Sequence, residues 1–285
     1  ITAGRQGRRT ATMFWVGSEV EFGGRRADHW RPFDPLLPTE ARLDQLLAWL
    51  SLPPGERPEF ATLYLNRTDI VGHRTGPEGP AIDSAIAEVD AAVGRLVDWL
   101  HSHGLAPHTD LVIVSDHGMA SIDSGRVIYL DDYVELDPSE IADLSPVTAI
   151  DPKPGRDSLV YRGLRAAHPR LTVYRREEMP PRFHFRASAR IAPLVLVADD
   201  GWTIATRAQA RDRAMTDRGN HGYDNALPSM RAIFLGVGPS FDRGVVVPPF
   251  QNVHLYPLLT QIMGLAAAPN DGSLDSVRTL LRQPK

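Results

Sequence analysis

The sequence predicts an α/β protein in which buried strands alternate with amphipathic helices. Leu111–Val114 is a run of four apolar, mostly β-branched residues, as expected for a strand that is buried on both faces. A long helix is predicted from about Pro80 to His103, because apolar residues recur at helical spacing and Gly104 follows them. A strand–helix–strand order favours parallel pairing with right-handed crossovers, so we expect a mostly parallel central sheet with helices on both faces.

The first part of the chain supplies further elements of this kind. Thr10–Val16 alternates in polarity and is rich in aromatic residues, which indicates a strand. Thr39 is expected to cap a helix that runs to Ser51 and carries leucines on one face. Phe60–Leu65 is predicted as the next strand, preceding the long helix.

Residues 122–185 interrupt this alternation. We expect a helix near Gly163–His168, and we expect His184, between two aromatic side chains, to be a hydrogen-bonded core residue. The short extended segments predicted here are Arg126–Leu130, Ser158–Tyr161 and Leu171–Arg175. We interpret this part of the chain as a small subdomain inserted beside the main sheet.

The last hundred residues return to strands and a helix. Strands are predicted at Pro193–Ala198, Trp202–Ala205 and Met230–Val237. Asn252 is expected to cap a final helix that ends at Met263, because Gly264 follows.

The composition excludes several classes of protein. The chain has 285 residues, 42% of them hydrophobic, which suffices for one large domain with a substantial core. Its net charge of −4 predicts no surface for nucleic acid, and no apolar run approaches the roughly 20 residues of a membrane span. The absence of cysteine excludes disulfides, thiolate metal sites and cysteine nucleophiles.

Carboxylates and imidazoles follow two of the predicted strands. Asp116 and His117 follow the strand at 111–114 after a single residue, Ser115. Asp69 and His73 follow the strand at 60–65, in a segment that we expect to be a loop or a single short turn. In an open α/β sheet, ligands bind just beyond the carboxyl ends of the strands, so these side chains are placed for a site.

A third candidate is His221, which lies in a glycine-flanked segment far downstream. Each of these groups alone is equally compatible with a solvated polar turn. Together they offer carboxylate oxygen and imidazole nitrogen, the ligand types that suit Zn²⁺ or a similar divalent ion. The recurrence of Asp/His pairs therefore favours a metal site.

Motifs along essentially the whole chain resemble those of the nucleotide pyrophosphatase/phosphodiesterase family, a branch of the alkaline phosphatase superfamily. The most specific matching segments are TATMFWVGSE at 10–19, YLNRTDIVGHRTGP at 64–77, VSDHGM at 114–119 and GNHGYDN at 219–225. One departure is Thr68, where the family usually has proline. The resemblance implies an alkaline-phosphatase-like fold and a single catalytic domain over residues 1–285, with about 122–185 as the inserted subdomain.

The resemblance also implies two divalent metal ions, Zn²⁺ being expected. One zinc is assigned to Asp69, His73 and His221, and the other to Asp116 and His117. The family's nucleophilic threonine and a further metal-binding aspartate are expected upstream of residue 1. We therefore expect the sequence to lack its N-terminal segment, and none of its threonines is assigned as a catalytic residue.

The implied reaction is hydrolysis of phosphodiester or pyrophosphate bonds in nucleotides, releasing a nucleoside monophosphate through a covalent threonine intermediate. Tyr64 matches a position that stacks on the substrate base, and we expect this role in preference to that of a core tyrosine on a buried strand. Two alternatives are the same metal site acting on a lysophospholipid, phosphonate or phosphomonoester, and an inactive fragment that only binds metal. Export from the cytoplasm is expected from the resemblance alone.

Overall fold

The computed structural model describes residues 1–212 and 216–282. The helices of these residues are α1 (Thr2–Arg5), α2 (Thr39–Leu50), α3 (Arg67–Thr75), α4 (Pro80–Ser102), α5 (Asp157–Leu164), α6 (Arg207–Asp212) and α7 (Leu255–Ile262). The strands are β1 (Thr10–Met13), β2 (His29–Trp30), β3 (Phe60–Leu63), β4 (Leu111–Val114), β5 (Ala120–Ser121), β6 (Val127–Tyr129), β7 (Ile141–Asp143), β8 (Val147–Ile150), β9 (Leu171–Arg175), β10 (Leu194–Ala198), β11 (Thr203–Ala205), β12 (Gly219–Asn220) and β13 (Phe234–Val237).

The chain forms two compact units, of which the first comprises residues 1–67, 86–114 and 234–282. Its three-stranded sheet has the order β2-β1-β3 and is parallel throughout. Strand β4 pairs with β13 in antiparallel orientation. Leucines of α2 and α4 form one core cluster, and Leu258 of α7 belongs to another that contains Phe241.

The second unit comprises residues 68–85 and 115–233. Its largest sheet is antiparallel, in the order β7-β8-β10-β9. Strand β6 pairs with β11 in parallel orientation, and β5 pairs with β12 in antiparallel orientation. The core of this unit is built around fully buried residues that include Ile128, Leu164 and Leu196.

The α/β class is confirmed, and several elements lie where the sequence predicts them. Helix α4 ends one residue before the predicted bound, and β4 and β9 match their predicted ranges. Strands β1, β3, β10, β11 and β13 lie inside their predicted ranges but are shorter. Among the described helices, none combines the length and the apolar character needed to cross a membrane. The single catalytic domain with an insertion at 122–185 stays a prediction.

The prediction of a loop at Asp69–His73 is wrong, because this segment lies inside helix α3. Asp69 lies in the first turn, where a negative group interacts favourably with the helix dipole, and His73 lies in the last turn. Gly76, with a φ of +88°, follows the end of the helix.

Two predictions within the inserted segment are also wrong. Ser158–Tyr161 was expected to be extended but lies within helix α5. This is the helix expected near Gly163–His168, and it begins earlier and ends at Leu164. Val160, Tyr161 and Leu164 are buried, a spacing that suits one face of a helix and not a strand. His184 is exposed and adopts a φ of +50° at the end of a 3₁₀ turn, so it is no core residue.

Neither of the predicted helix caps is present. Thr39 is the first residue of α2, and its hydroxyl donates a hydrogen bond to Glu88 at 2.9 Å instead of accepting one from the helix. Asn252 lies within a 3₁₀ turn that precedes α7. Helices α2 and α7 therefore both begin without a side-chain cap.

Candidate metal centre

Asp69 and His73 lie on the same face of helix α3, because residues four apart in a helix lie one turn above each other. Asp69 Oδ1 lies 3.5 Å from His73 Nε2. The end of the helix is tied to the segment before β12, since Arg218 N donates to His73 O at 2.7 Å. Both groups are thus held by the helix and by its contact with residue 218.

The pairing of β5 with β12 brings His117 and His221 together. Ala120 lies opposite Asn220 in this short ladder, so His117 and His221 occupy neighbouring positions just outside it. Their imidazole rings stack with centroids 3.5 Å apart and an interplanar angle of 12°. His221 Nε2 lies 3.4 Å from Asp69 Oδ1, which connects this stack to α3.

The structure thus brings all five predicted metal-binding residues into one cluster. Asp69, His117 and His221 form a group in which one possible ligand atom of each lies within 4.8 Å of the others. His73 joins through Asp69, and Asp116 Oδ2 lies 3.5 Å from His117 Nε2. Asp116 is the most open of the five, with 63% of its side chain exposed. The division of these residues between two ions stays a prediction.

Backbone carbonyls orient two of the imidazoles. His73 Nδ1 donates to Gly219 O at 3.0 Å, and His117 Nδ1 donates to Gly118 O at 2.7 Å. Because a carbonyl oxygen only accepts, each Nδ1 carries the proton and Nε2 of the neutral ring keeps its lone pair. Such a bond to the second ring nitrogen accompanies most histidines that bind metals in proteins.

Asp69 Oδ1 gives an independent test of whether a cation fits this group. The atom is buried and has no hydrogen-bond partner, although nearly all buried polar atoms in proteins have one. It lies 3.4 and 3.5 Å from two imidazole Nε2 atoms. Ligand atoms about 2.1 Å from a tetrahedral zinc lie about 3.4 Å apart, so the donor set fits a divalent ion.

The electrostatic surroundings of His221 favour its neutral form. Burial lowers the pKa of this imidazole, and the neighbouring His117 and His73 lower it further against the opposing effect of Asp69 and Asp116. A neutral imidazole is the form that binds a metal ion.

Tyr64, the predicted substrate-binding residue, belongs to the first unit and lies half-buried just beyond β3. Its ring centroid is 6.5 Å from that of Phe33. Its carbonyl oxygen accepts a hydrogen bond from the buried Arg42 at 3.2 Å. The residue is therefore part of an aromatic cluster, and its role in binding a base stays a prediction.

Sequence reasoning missed Gly219, whose carbonyl orients His73. A Cβ atom on this residue would lie only 2.3 Å from Gly72 O, so β12 approaches α3 more closely than any other residue type allows. The available signal is the glycine two residues before His221, but a glycine at such a position is also typical of a loop.

Gly219→Ala is expected to destabilise the chain by about 1–3 kcal/mol, because the added methyl group pushes β12 away from α3. Urea unfolding would measure the change. Gly94→Ala is the control: a Cβ there meets nothing within 4 Å, and alanine in the helix should stabilise by about 0.5–1 kcal/mol. Unchanged stability in Gly219→Ala would contradict the close approach.

Comparisons with known proteins point to one family. The sequence profile described as "Type I phosphodiesterase / nucleotide pyrophosphatase" matches residues 1–224. Human ectonucleotide pyrophosphatase/phosphodiesterase family member 5 is 36% identical over 281 residues, covering 99% of this chain and 58% of the relative. Bovine bis(5'-adenosyl)-triphosphatase ENPP4 is 37% identical over 279 residues, covering 96% of this chain and 59% of the relative.

Solved structures show the same similarity. Human ectonucleotide pyrophosphatase/phosphodiesterase 5 superimposes with a TM-score of 0.92 at 36% identity, covering 99% of this chain and 74% of that one. An inactive variant of the murine protein in complex with AMP gives a TM-score of 0.91 at 36% identity, with the same coverage. The chain thus spans less than two thirds of the length of these two curated relatives.

Proposed function

The chain belongs to the type I phosphodiesterase/nucleotide pyrophosphatase family, and from that premise we propose that the protein hydrolyses phosphodiester or pyrophosphate bonds of nucleotides. The observation that carries the proposal is the cluster of carboxylates and imidazoles around the unpartnered Asp69 Oδ1. The names of the human and bovine relatives, which describe hydrolases of nucleotide derivatives, support the same chemistry.

In this proposal the five clustered side chains hold two divalent ions, Zn²⁺ being the expected metal. Asp69, His73 and His221 would bind one ion, and Asp116 and His117 would contribute to the other. Bound ions of this kind neutralise the phosphate and align the attacking and leaving oxygens. The carbonyl oxygens of Gly219 and Gly118 keep the Nε2 atoms of His73 and His117 free to act as ligands.

The substrate would be recognised through both its phosphate and its base. The complex of a murine relative with AMP makes a nucleoside monophosphate the reasonable product. We propose Tyr64 as the residue on which the base stacks, since an aromatic ring offers a flat apolar face to any base. The covalent intermediate expected from the family would need a threonine nucleophile in addition to these residues. The "ecto" names of the relatives support export from the cytoplasm.

The experiment that tests the proposal is AMP binding to the chain with and without zinc. We expect AMP to bind the zinc-loaded chain, and we expect a chelator to abolish that binding, because the phosphate needs the positive charge of the ions. Adenosine, which lacks the phosphate, is the control ligand and should bind equally weakly in both states. AMP binding that is unaffected by the chelator would contradict the proposed site.

Hydrolysis of a nitrophenyl ester of a nucleotide tests the catalytic part separately. Zinc-dependent release of nitrophenol by the protein would support the proposed reaction. Preference for a lysophospholipid over the nucleotide ester would instead favour the alternative substrate class.

A further inference from the structure

The segment that carries His221 is anchored on both sides of that residue. Before it, Asn220 Nδ2 donates to Ser145 Oγ at 3.1 Å. After it, Gly222 adopts a φ of +96°, and the buried Tyr223 donates through its hydroxyl to Trp202 O at 2.9 Å. The backbone therefore turns sharply directly after the imidazole.

Beyond this turn, Arg182 forms a bidentate ion pair with Asp224. Its Nη1 donates to Asp224 Oδ1 at 2.6 Å, and its Nη2 donates to Asp224 Oδ2. Nη1 also lies 3.4 Å from Asn225 Oδ1. The ion pair favours the charged form of both groups, because it lowers the pKa of Asp224 and raises the pKa of Arg182. A planar fork on a carboxylate restrains orientation as well as distance.

His221 depends on its backbone more than the other two imidazoles do. The rings of His73 and His117 are each held by a hydrogen bond to a carbonyl oxygen. Within residues 1–212 and 216–282, no such bond fixes the ring of His221, which only stacks on His117 and faces Asp69. The direction of Nε2 in His221 is thus set by the course of residues 219–225.

We propose that Arg182 is a positioning residue for the metal centre: its ion pair with Asp224 orders residues 219–225 and directs His221 Nε2 toward Asp69. The inference rests on the proposed metal site, but the ordering of the segment does not require metal. It assigns to a surface ion pair a function that its exposure alone would not suggest, because exposed pairs rarely contribute more than about 1 kcal/mol to stability.

The test compares three variants of the chain with the wild type. Arg182→Gln removes the ion pair, and Arg182→Lys keeps the charge but loses the fork. Arg170→Gln is the matched control, because Arg170 forms a similarly exposed ion pair with Asp199 at 3.3 Å in the same unit. Zinc affinity is measured by titration calorimetry, and amide hydrogen exchange of residues 219–226 is measured without metal.

We expect Arg182→Gln to lower zinc affinity about tenfold, as losses of outer hydrogen-bond partners of metal ligands do. Arg182→Lys should fall between Arg182→Gln and the wild type, and Arg170→Gln should equal the wild type. In the absence of metal, amides 219–226 should exchange faster only in the Arg182 variants. The thermal midpoint should change little in any of the three.

The two readouts separate the positioning role from the proposed site. If the wild type binds no zinc, the proposed function fails, while faster exchange in Arg182→Gln still supports the ordering of the segment. Unchanged exchange and unchanged zinc affinity in Arg182→Gln would overturn the inference. So would an equal loss of zinc affinity in Arg170→Gln, since the effect would then belong to surface charge in general.

Discussion

Asp69→Ala is expected to abolish the stabilisation of the chain by zinc while leaving the metal-free chain at least as stable as the wild type. Asp69 Oδ1 is buried without a hydrogen-bond partner, and an unsatisfied buried polar group costs about 1–3 kcal/mol. Removing the carboxylate relieves this cost, which offsets the packing lost with the side chain. The same change removes the oxygen that faces both His73 Nε2 and His221 Nε2.

The measurement is thermal unfolding with and without zinc. A ligand at about 100 times its dissociation constant stabilises the folded state by about 2.7 kcal/mol, so the wild-type midpoint should rise by several degrees. Asp69→Ala should show no rise, and His221→Ala should respond in the same way. Asp199→Ala, which removes an exposed carboxylate of the same unit, is the control and should respond like the wild type.

Two results would contradict this account of the cluster. A zinc response in Asp69→Ala equal to that of the wild type would show that the ion binds elsewhere. A metal-free Asp69→Ala chain that is much less stable than the wild type would show that the carboxylate has a structural role.

The residues of the candidate site could be predicted from the sequence because their positions follow from simple chain geometry. Asp116 and His117 lie just beyond β4, separated from it by Ser115, and the apolar run of this strand is easily recognised. The glycines around His221 also distinguish that histidine from His101 and His103, which are exposed at the end of α4. The two-residue ladder of β5 and β12, which unites these segments, is too short to leave any pattern of its own.

The local structure of the same residues was harder to predict. Arg67–Thr75 has nine residues and only two buried positions, so its sequence shows no strong apolar stripe. The segment forms a helix because Val71 packs against Ile82 and Ala85, contacts that cannot be inferred from the segment itself. The prediction of a strand at Ser158–Tyr161 was wrong for a related reason, because a short apolar run suits a strand or a helix equally.

Glu140 is the clearest feature of the second unit that sequence reasoning could not find. Glutamate is almost never fully buried unless it is paired, so a glutamate between Ser139 and Ile141 is expected on the surface. In the structure only 1% of Glu140 is exposed. Asp137 and Glu140 meet through a capping box, which is a short-range pattern, but no such pattern predicts that Lys153 and Arg156 join them.

Glu140→Ala is expected to destabilise the second unit by about 3 kcal/mol, because Glu140 satisfies several donors at once. Oε2 accepts from Asp137 N and Oε1 from Lys153 N, both at 2.8 Å, and Arg156 Nη1 lies 3.2 Å from Oε2. Without the carboxylate these donors lose their partner inside the protein. Urea unfolding at neutral pH measures the loss. Asp275→Ala, which breaks an exposed pair with Arg278, should cost less than about 1 kcal/mol.

The pH dependence of the Glu140 contribution has a definite sign. The backbone donors of Lys153 and Asp137, aided by Arg156, lower the pKa of Glu140 below its ordinary value of 4.5. A lowered folded-state pKa means that the carboxylate stabilises the fold fully above about pH 4.5 and loses this effect as the pH falls through the lower folded value. Glu140→Gln keeps the shape without the charge, so its stability deficit should be largest near neutral pH and shrink in acid. A deficit that stays constant down to pH 3, roughly a unit and a half below the unfolded value, would show that shape and not charge holds this turn together.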